Sequence, residues 1–481
     1  VSSDVPALLE TAKQALVGIL RQFRAWSKVP GRPGRFAAHS KYLDCKANDT
    51  NISVPVFYDL IKVHKTPTAL RPIVACHSWL TTPVSCVCAY ELHALIRRHL
   101  PHVLEDSKSL VRMIEGVRVP RHHSVDSVVL VTGDVEGLYV NIPILEAINA
   151  CVTFVAQHEG PIFANLIRAW LQFVFRNALV RFGERFFMQQ WGFAIGTAVA
   201  PDAANVFMAV CEDICGVYTA SALSSVLPAG AERLLFARLI DDYTIIVSGD
   251  ANVLHSPTSP LEVQAIKAVT AELEARAGPH LRISWTASRR SMDTLDLHVY
   301  KGPDFVRTRR FSYRTHQKLG NRYAYLPFTS RHAPGVSKSV VKSEVTRHAI
   351  NCSSFSDFRH MVELYVVRQL ARGFPRELLY KWVAEVDYDV RERALAPTPH
   401  VGSVVGRRIP LYLKLQYDLV SSTLGAPSLL FASHVQTGRL GVASFWDRML
   451  VCWTRARSLG SFLMSSADAA GPAERDHTPN P

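Results

Sequence analysis

No stretch of this 481-residue sequence stays apolar for long enough to cross a bilayer. The best candidate, around Leu166 to Val180, is broken by Arg168, Gln172 and Arg176 and reads as a buried amphipathic helix over roughly Pro161 to Val180. No secretory signal is visible in this sequence. The chain opens on Val1 rather than Met, as expected of a fragment or a processed product. Cysteine is sparse, at nine scattered residues, which argues against a disulfide framework and for a reducing compartment. Cys86-x-Cys88 and Cys211-x-x-x-Cys215 are too thin for a zinc site and are expected in the core. Acidic residues fall short of basic ones, 41 against 54, leaving a net charge of +13. Such an excess favours a polyanionic partner, nucleic acid before membrane; with a reducing compartment, the expected location is intracellular, the nucleus first.

What is present suits a large folded protein. Apolar residues make up 48% of the chain, and its length allows two to four domains or one multi-lobed enzyme. From Val5 to Trp26 apolar residues recur at helical spacing, and a basic linker, Val29 to Arg35, follows. Phe57 to Lys65 and Leu70 to Val74 are two short β-type runs punctuated by Lys62, Lys65 and Arg71, as in a hairpin presenting cations. Val128 to Val131 is an apolar strand that leads through Thr132 and Gly133 to Asp134. Pro143 is placed to open the next helix. A hairpin is expected to turn near Gly183, ahead of a glycine-containing loop, Gln189 to Pro201, and a helix beginning at Pro201 and Asp202. Further on, Pro260 to Ala277 reads as a helix, and Leu281 to Thr286 and Leu295 to Val299 read as strands.

Two adjacent carboxylates, Asp241 and Asp242, stand between apolar runs in Arg238-Leu239-Ile240-Asp241-Asp242-Tyr243. The local expectation is strand, tight acidic turn, strand. Alone, such a pair is most often a solvated turn. Its neighbours change that. Adjacent carboxylates repel unless a cation neutralises them, and Mg²⁺ takes one or two carboxylates while leaving positions for water and phosphate oxygens. Two-metal phosphoryl transfer needs carboxylates from separate strands converging on ions about 3.5–4 Å apart, which Asp134 and Asp241 are suited to supply. Downstream, residues 301 to 350 hold eleven Lys or Arg against two acids, interleaved with Phe311, Tyr313, Tyr323, Tyr325 and Phe328. Cations among aromatics suit a nucleic-acid track, here Arg309, Arg310, Arg314, Lys318 and Arg322.

In this order the motifs resemble those of the Penelope-like retroelement reverse transcriptases, a telomerase-related family. The matching stretches are Phe57–Lys65 (FYDLIKVHK), Arg71–Val74 (RPIV), Gly133–Pro143 (GDVEGLYVNIP), Gln189–Pro201 (QQWGFAIGTAVAP) with Asn205, Arg238–Asp242 (RLIDD) and Thr294–Leu297 (TLDL). Tyr325-Leu326, Ser330-x-His332, Glu344-x-x-Arg347 and Arg372-Gly373-Phe374 resemble the family's thumb, and Arg455–Ser466 its linker. Three positions depart from the family pattern: Leu239 where an aromatic is frequent, Ala200 where Ser is commoner, and Thr294 where Phe is usual. The family's GIY-YIG endonuclease motif does not occur in the sequence, so an endonuclease-lacking type or a truncated copy is expected.

The resemblance implies an α+β right-hand polymerase and an RNA-directed DNA polymerase activity. It implies an N-terminal helical extension over 1–40, fingers over 41–133, and a palm with an antiparallel sheet over 134–300, with a fingers insert at about 144–188. A helical thumb over 301–395 and a linker with a disordered tail over 396–481 complete it. Asp134 and Asp241, with the Val135 carbonyl, would hold two Mg²⁺ ions, replaceable by Mn²⁺, and Asp242 would assist at the primer terminus. Lys62, Lys65 and Arg71 would bind the incoming dNTP. Gln189 and Gly192 would shape the nucleotide pocket. Tyr139 would exclude a ribose 2′-hydroxyl, and Thr294, Leu295, Asp296 and Leu297 would form the primer grip. The partners implied are an RNA template and a DNA primer or RNA–DNA hybrid. Two other classes compete: a decayed or domesticated RNA-binding copy, against which the intact aspartates argue, and an RNA-directed RNA polymerase, against which Tyr139 argues.

Overall fold

The computed structural model describes residues 5–27, 39–44, 52–62, 69–214, 230–249, 275, 281–318, 321, 323–330, 332 and 335–396, and two later strands, Leu411–Gln416 and Met449–Thr454. The chain divides into two compact units, Val1–Arg322 with Ile350–Met361, and Tyr323–Ala349 with Val362–Pro481.

In the first unit the helix Val5–Ser27 is followed by an antiparallel hairpin of β1 (Phe57–Lys62) and β2 (Ala69–Val74). The helices Thr82–His99 and Ser107–Gly116 come next, the second capped by the Asp106 side chain, which accepts from the Ser109 N–H at 2.8 Å. β3 (Val129–Val135) leads to the helices Ile144–Glu159 and Pro161–Arg176. The second of these stops four residues before the expected Val180. Asn177 leaves helical geometry and turns its side-chain amide back onto the Phe173 carbonyl at 2.7 Å. That releases Leu179 to open a hairpin of β4 (Leu179–Phe182) and β5 (Arg185–Met188), turning at Gly183 with φ +59.

The helix Ala200–Ile214 precedes β6 (Ala231–Leu239), β7 (Asp242–Gly249) and β8 (Ile283–Ser288). These three strands and β3 form one antiparallel sheet in the order β6-β7-β3-β8. Register sorts its side chains by face. Val129, Val131 and Val135 of β3, with Tyr243, Ile245 and Val247 of β7, join one apolar core with the helices. The opposite face carries Thr132 and Asp134, paired with Thr244 and Asp242.

A second antiparallel sheet contains β9 (Ser291–Thr294), β10 (Leu297–Tyr300) and β11 (Ser312–Thr315), in the order β11-β10-β9. Here a sequence expectation is corrected. Leu295 and Asp296 do not continue a strand but form the two-residue turn between β9 and β10, because Leu295 takes a left-handed φ of +51. Cys88, Cys151 and Cys211 are buried and Cys86 is half-buried, while Cys215 lies outside the described residues.

The second unit holds most of the helix Val336–Ile350, the end of the helix Phe355–Leu370, and the helices Arg376–Ala384 and Val390–Leu395. Within it Arg347 makes two bonds to Glu344, at 2.6 and 3.0 Å, and the Arg368 guanidinium lies 3.5 Å over the Tyr323 ring. Beyond residue 400, where little pattern was expected, β12 (Leu411–Gln416) pairs in parallel with β13 (Met449–Thr454). The tail from Ala467 and, apart from residue 275, the helix expected over Pro260 to Ala277 lie outside the described residues. Among the described residues no helix is long and apolar enough to cross a membrane. The architecture is therefore mixed helix and sheet, with antiparallel sheets in the first unit, as the sequence led us to expect.

Candidate active site

Asp134 of β3 and Asp242 of β7 are directly paired residues of adjacent antiparallel strands. Such a pair places its Cβ atoms about 4.5–5.5 Å apart on one face, and like charges there are destabilising. Asp241 occupies the second position of the two-residue turn that joins β6 to β7. Its backbone carbonyl accepts the Val135 N–H at 3.0 Å, which ties the turn to the end of β3. Three carboxylates thus come from the paired ends of the two central strands, β3 and β7, and from the turn between β6 and β7.

The electrostatics follow from that crowding. Burial, with the charges of Asp241 and Asp134, pushes the Asp242 carboxyl up to about 6, and Lys318 only partly offsets this. Tyr139, in the one-turn helix Leu138–Asn141 after β3, is raised to about 12 by burial and by the nearby charges of Asp241 and Asp202. Repelling carboxylates at adjoining strand ends are the kind of group a divalent cation neutralises. Among the described residues no group of three or more His, Cys, Asp or Glu side chains is spaced to hold a metal ion.

The sequence here allows a close backbone approach. A Cβ on Gly133 would meet the Trp285 ring at 2.6 Å, so the glycine before Asp134 makes room for that ring from β8. Gly192 has φ +70, and a Cβ there would lie 2.6 Å from the Val140 carbonyl and 2.8 Å from that of Tyr139. The Phe193 N–H donates to the Tyr139 carbonyl at 2.6 Å, and the Val74 N–H to the Ile195 carbonyl at 2.8 Å. The glycine-containing loop is therefore strapped between β2, which carries exposed Arg71, and the short helix that carries Tyr139. The Gln189 side-chain amide donates to the Trp191 and Gly192 carbonyls, both at 3.0 Å, so this residue shapes the loop from within. Beside it lies an apolar cavity of about 220 Å³ lined by Phe57, Val74, Val140, Phe193 and others.

Other sequence candidates are placed as follows. Lys62 ends β1, while Lys65 and Arg322 lie outside the described residues. Arg309 donates to the His123 carbonyl at 2.8 Å, so this cation of the expected track also holds the fold together. Arg310 is exposed, and Arg314 stands on the outer face of β11 over the Tyr300 ring. Thr294 is buried and its hydroxyl lies 2.5 Å from that of Thr244 in β7, a bond that joins the second sheet to the aspartate-bearing face of the first. A Phe at this position could not make it.

Sequence reasoning missed what lies beneath the turn. Arg238 is fully buried and donates to Glu212 at 2.5 and 3.3 Å, to Asn205 at 2.8 and 3.0 Å, and to the Ile240 carbonyl at 3.0 Å. The Tyr243 hydroxyl donates to Glu212 at 2.6 Å, and His102 Nε2 lies 2.7 Å from the same carboxylate. Burial alone would raise the Glu212 carboxyl, but Arg238 and His102 outweigh it and hold it at about 2. The available signal was Glu212 directly after the apolar run Val206 to Cys211, matched by Arg238 interrupting the apolar run Leu234 to Ile240.

No family model matches the chain, and neither does any curated protein. Among solved structures it is similar at 10% identity to telomerase from Candida albicans in complex with a TWJ fragment of telomeric RNA, with a TM-score of 0.42 over 73% of this chain and 59% of that one. The RNA-dependent RNA polymerase of a human picobirnavirus gives 10% identity and a TM-score of 0.43, over 70% and 61%. Apo telomerase from Candida tropicalis gives 10% and 0.39, over 72% and 62%. The chain thus spans about three-fifths of the length of each of these structures.

Proposed function

We propose that this chain is an RNA-directed DNA polymerase of the Penelope-like type, extending a primer 3′-hydroxyl with deoxynucleoside triphosphates. The observation that carries the reading is the pairing of Asp134 with Asp242 across β3 and β7, with Asp241 tied by its carbonyl to Val135. On this reading the four-stranded sheet and its helices are the palm of a right hand. The β1–β2 hairpin belongs to the fingers, the β9–β10 turn is the primer grip, and the helices from Val336 onward are the thumb.

Asp134 and Asp241 would hold Mg²⁺ or Mn²⁺, with Asp242 beside them. Bound there, the metal supplies positive charge for the phosphates and lowers the pKa of the attacking hydroxyl. The chain's own residues orient and select. Arg71 meets the triphosphate with a fixed fork of donors. Tyr139, half-buried beside Asp241, stands in the way of a 2′-hydroxyl, so deoxynucleotides are favoured by steric exclusion. Arg310, Arg314 and Lys318 lie along the path of the primer–template backbone and bind it by charge.

Purified protein given Mg²⁺ or Mn²⁺, the four dNTPs and a primed RNA template should extend the primer, and Asp241→Ala should abolish this. Failure to extend any primed template would overturn the proposal.

A further inference from the structure

We propose that Arg238 is the positioning residue of the acidic turn: its guanidinium, fixed by Glu212 and Asn205, holds the Ile240 carbonyl and so aims the Asp241 carboxylate for a divalent cation. The proposal rests on the reading of Asp241 as a metal ligand. Three observations carry it.

Ile240 has φ +57, a left-handed conformation unfavourable for a β-branched residue, which persists only where the surroundings enforce it. Arg238 reaches the carbonyl of that same residue, at 3.0 Å. Second, the guanidinium has five N–H donors in one rigid fork, and all five are used: two on Glu212, two on Asn205 and one on Ile240. Lysine, with three donors on one flexible atom, cannot repeat that pattern. Third, the post is anchored at its base as well. The Arg238 N–H donates to His102 at 2.9 Å, and its carbonyl accepts from Leu104 at 2.8 Å. The turn is therefore gripped at both of its carbonyls, Ile240 by Arg238 from beneath and Asp241 by Val135 from the side. A buried ion pair is weak evidence for stability, since apolar side chains of similar volume often serve as well. What an apolar replacement could not do is hold the Ile240 carbonyl.

The test measures metal binding directly, by electron paramagnetic resonance titration of Mn²⁺ on the whole chain, with circular dichroism melts to establish folding. Arg238→Lys should remain folded and bind Mn²⁺ about 10–100-fold more weakly, the range found when groups supporting metal ligands are removed. Asn205→Ala, which keeps the Arg238–Glu212 pair but frees a donor of the fork, should weaken binding severalfold and decides the matter if Arg238→Lys does not fold. Ile240→Gly, which removes the left-handed penalty, should restore part of the affinity lost in Arg238→Lys. In extension assays the same variants should raise the Mg²⁺ needed for half-maximal rate and leave the primer KM unchanged. Folded variants that bind Mn²⁺ as tightly as the parent would overturn the positioning role alone. A parent chain that neither binds Mn²⁺ nor extends a primer would overturn the polymerase reading, and this role with it.

Discussion

The turn Leu239-Ile240-Asp241-Asp242 and the turn Thr294-Leu295-Asp296-Leu297 are built alike. Each joins antiparallel strands through two residues, an aliphatic one at positive φ (+57 and +51) and then an aspartate. In each the aspartate carbonyl accepts a backbone N–H from beyond the hairpin: Asp241 from Val135 at 3.0 Å, Asp296 from His316 at 2.7 Å. They part at the flanks. The first turn continues into Asp242, which faces Asp134, and rests on the buried Arg238–Glu212 pair. The second continues into buried Leu297, and its other flank, Thr294, is bonded to Thr244. One local design therefore serves two ends. A turn of this kind presents an aspartate, and the neighbouring strand decides whether that aspartate joins a charge cluster.

The largest expected effect separates the two turns by function. Asp241→Ala should lower primer extension by more than about a thousandfold, several kcal/mol of transition-state stabilisation. Asp296→Ala, the same change at the same turn position, should do no more than raise the primer KM within about tenfold. Steady-state kinetics on a primed template reads both, and equal losses would erase the distinction. Within the first turn, Asp241→Asn should slow single-turnover extension more than Asp242→Asn. A matching loss in the two would count against Asp241 as the principal ligand.

The ion pair beneath the first turn gives the next effect. Glu212→Ala leaves Arg238 buried without its counter-charge and should cost about 3–5 kcal/mol in urea unfolding. The sign of its pH dependence is set by a folded-state pKa of about 2, depressed from the ordinary 4.5. The contribution is complete above about 4.5 and is lost as pH falls toward 2, because the unfolded chain takes up the proton first. Acid melts of Glu212→Gln should lack that component. Smallest is the link at the second turn. Thr294→Val strands the buried Thr244 hydroxyl and should cost about 1–2 kcal/mol, whereas the double change to Val at both positions should cost less.

Much of the candidate site is legible in the sequence. Asp134 at the end of an apolar run, Asp241 and Asp242 between two others, and glycines at 133, 183 and 192 are each read from neighbours a few residues away. The helix overrun to Val180 and the misread strand at Leu295 have the same cause. Hydropathy continues through both places, while Asn177 and the positive φ of Leu295 end the element. The departures at Thr294 and Leu239 differ in how far they were explained. Thr294 gains a hydroxyl partner in Thr244, and nothing in the structure explains Leu239.

By itself the sequence determined the strands that carry the aspartates, where the acidic turn at Asp241 and Asp242 falls, and that a basic chain carries carboxylates in an order suited to phosphoryl transfer. Those are local properties, written in side-chain period and turn chemistry. Only the tertiary structure decided that β3 lies between β7 and β8, that Asp134 faces Asp242 rather than Asp241, and that Arg238 and Glu212 meet under the turn. Each of these joins residues 26 or more positions apart in the chain. Strand order and register are set by which faces bury against the helices, a property of the assembled core that no single segment contains.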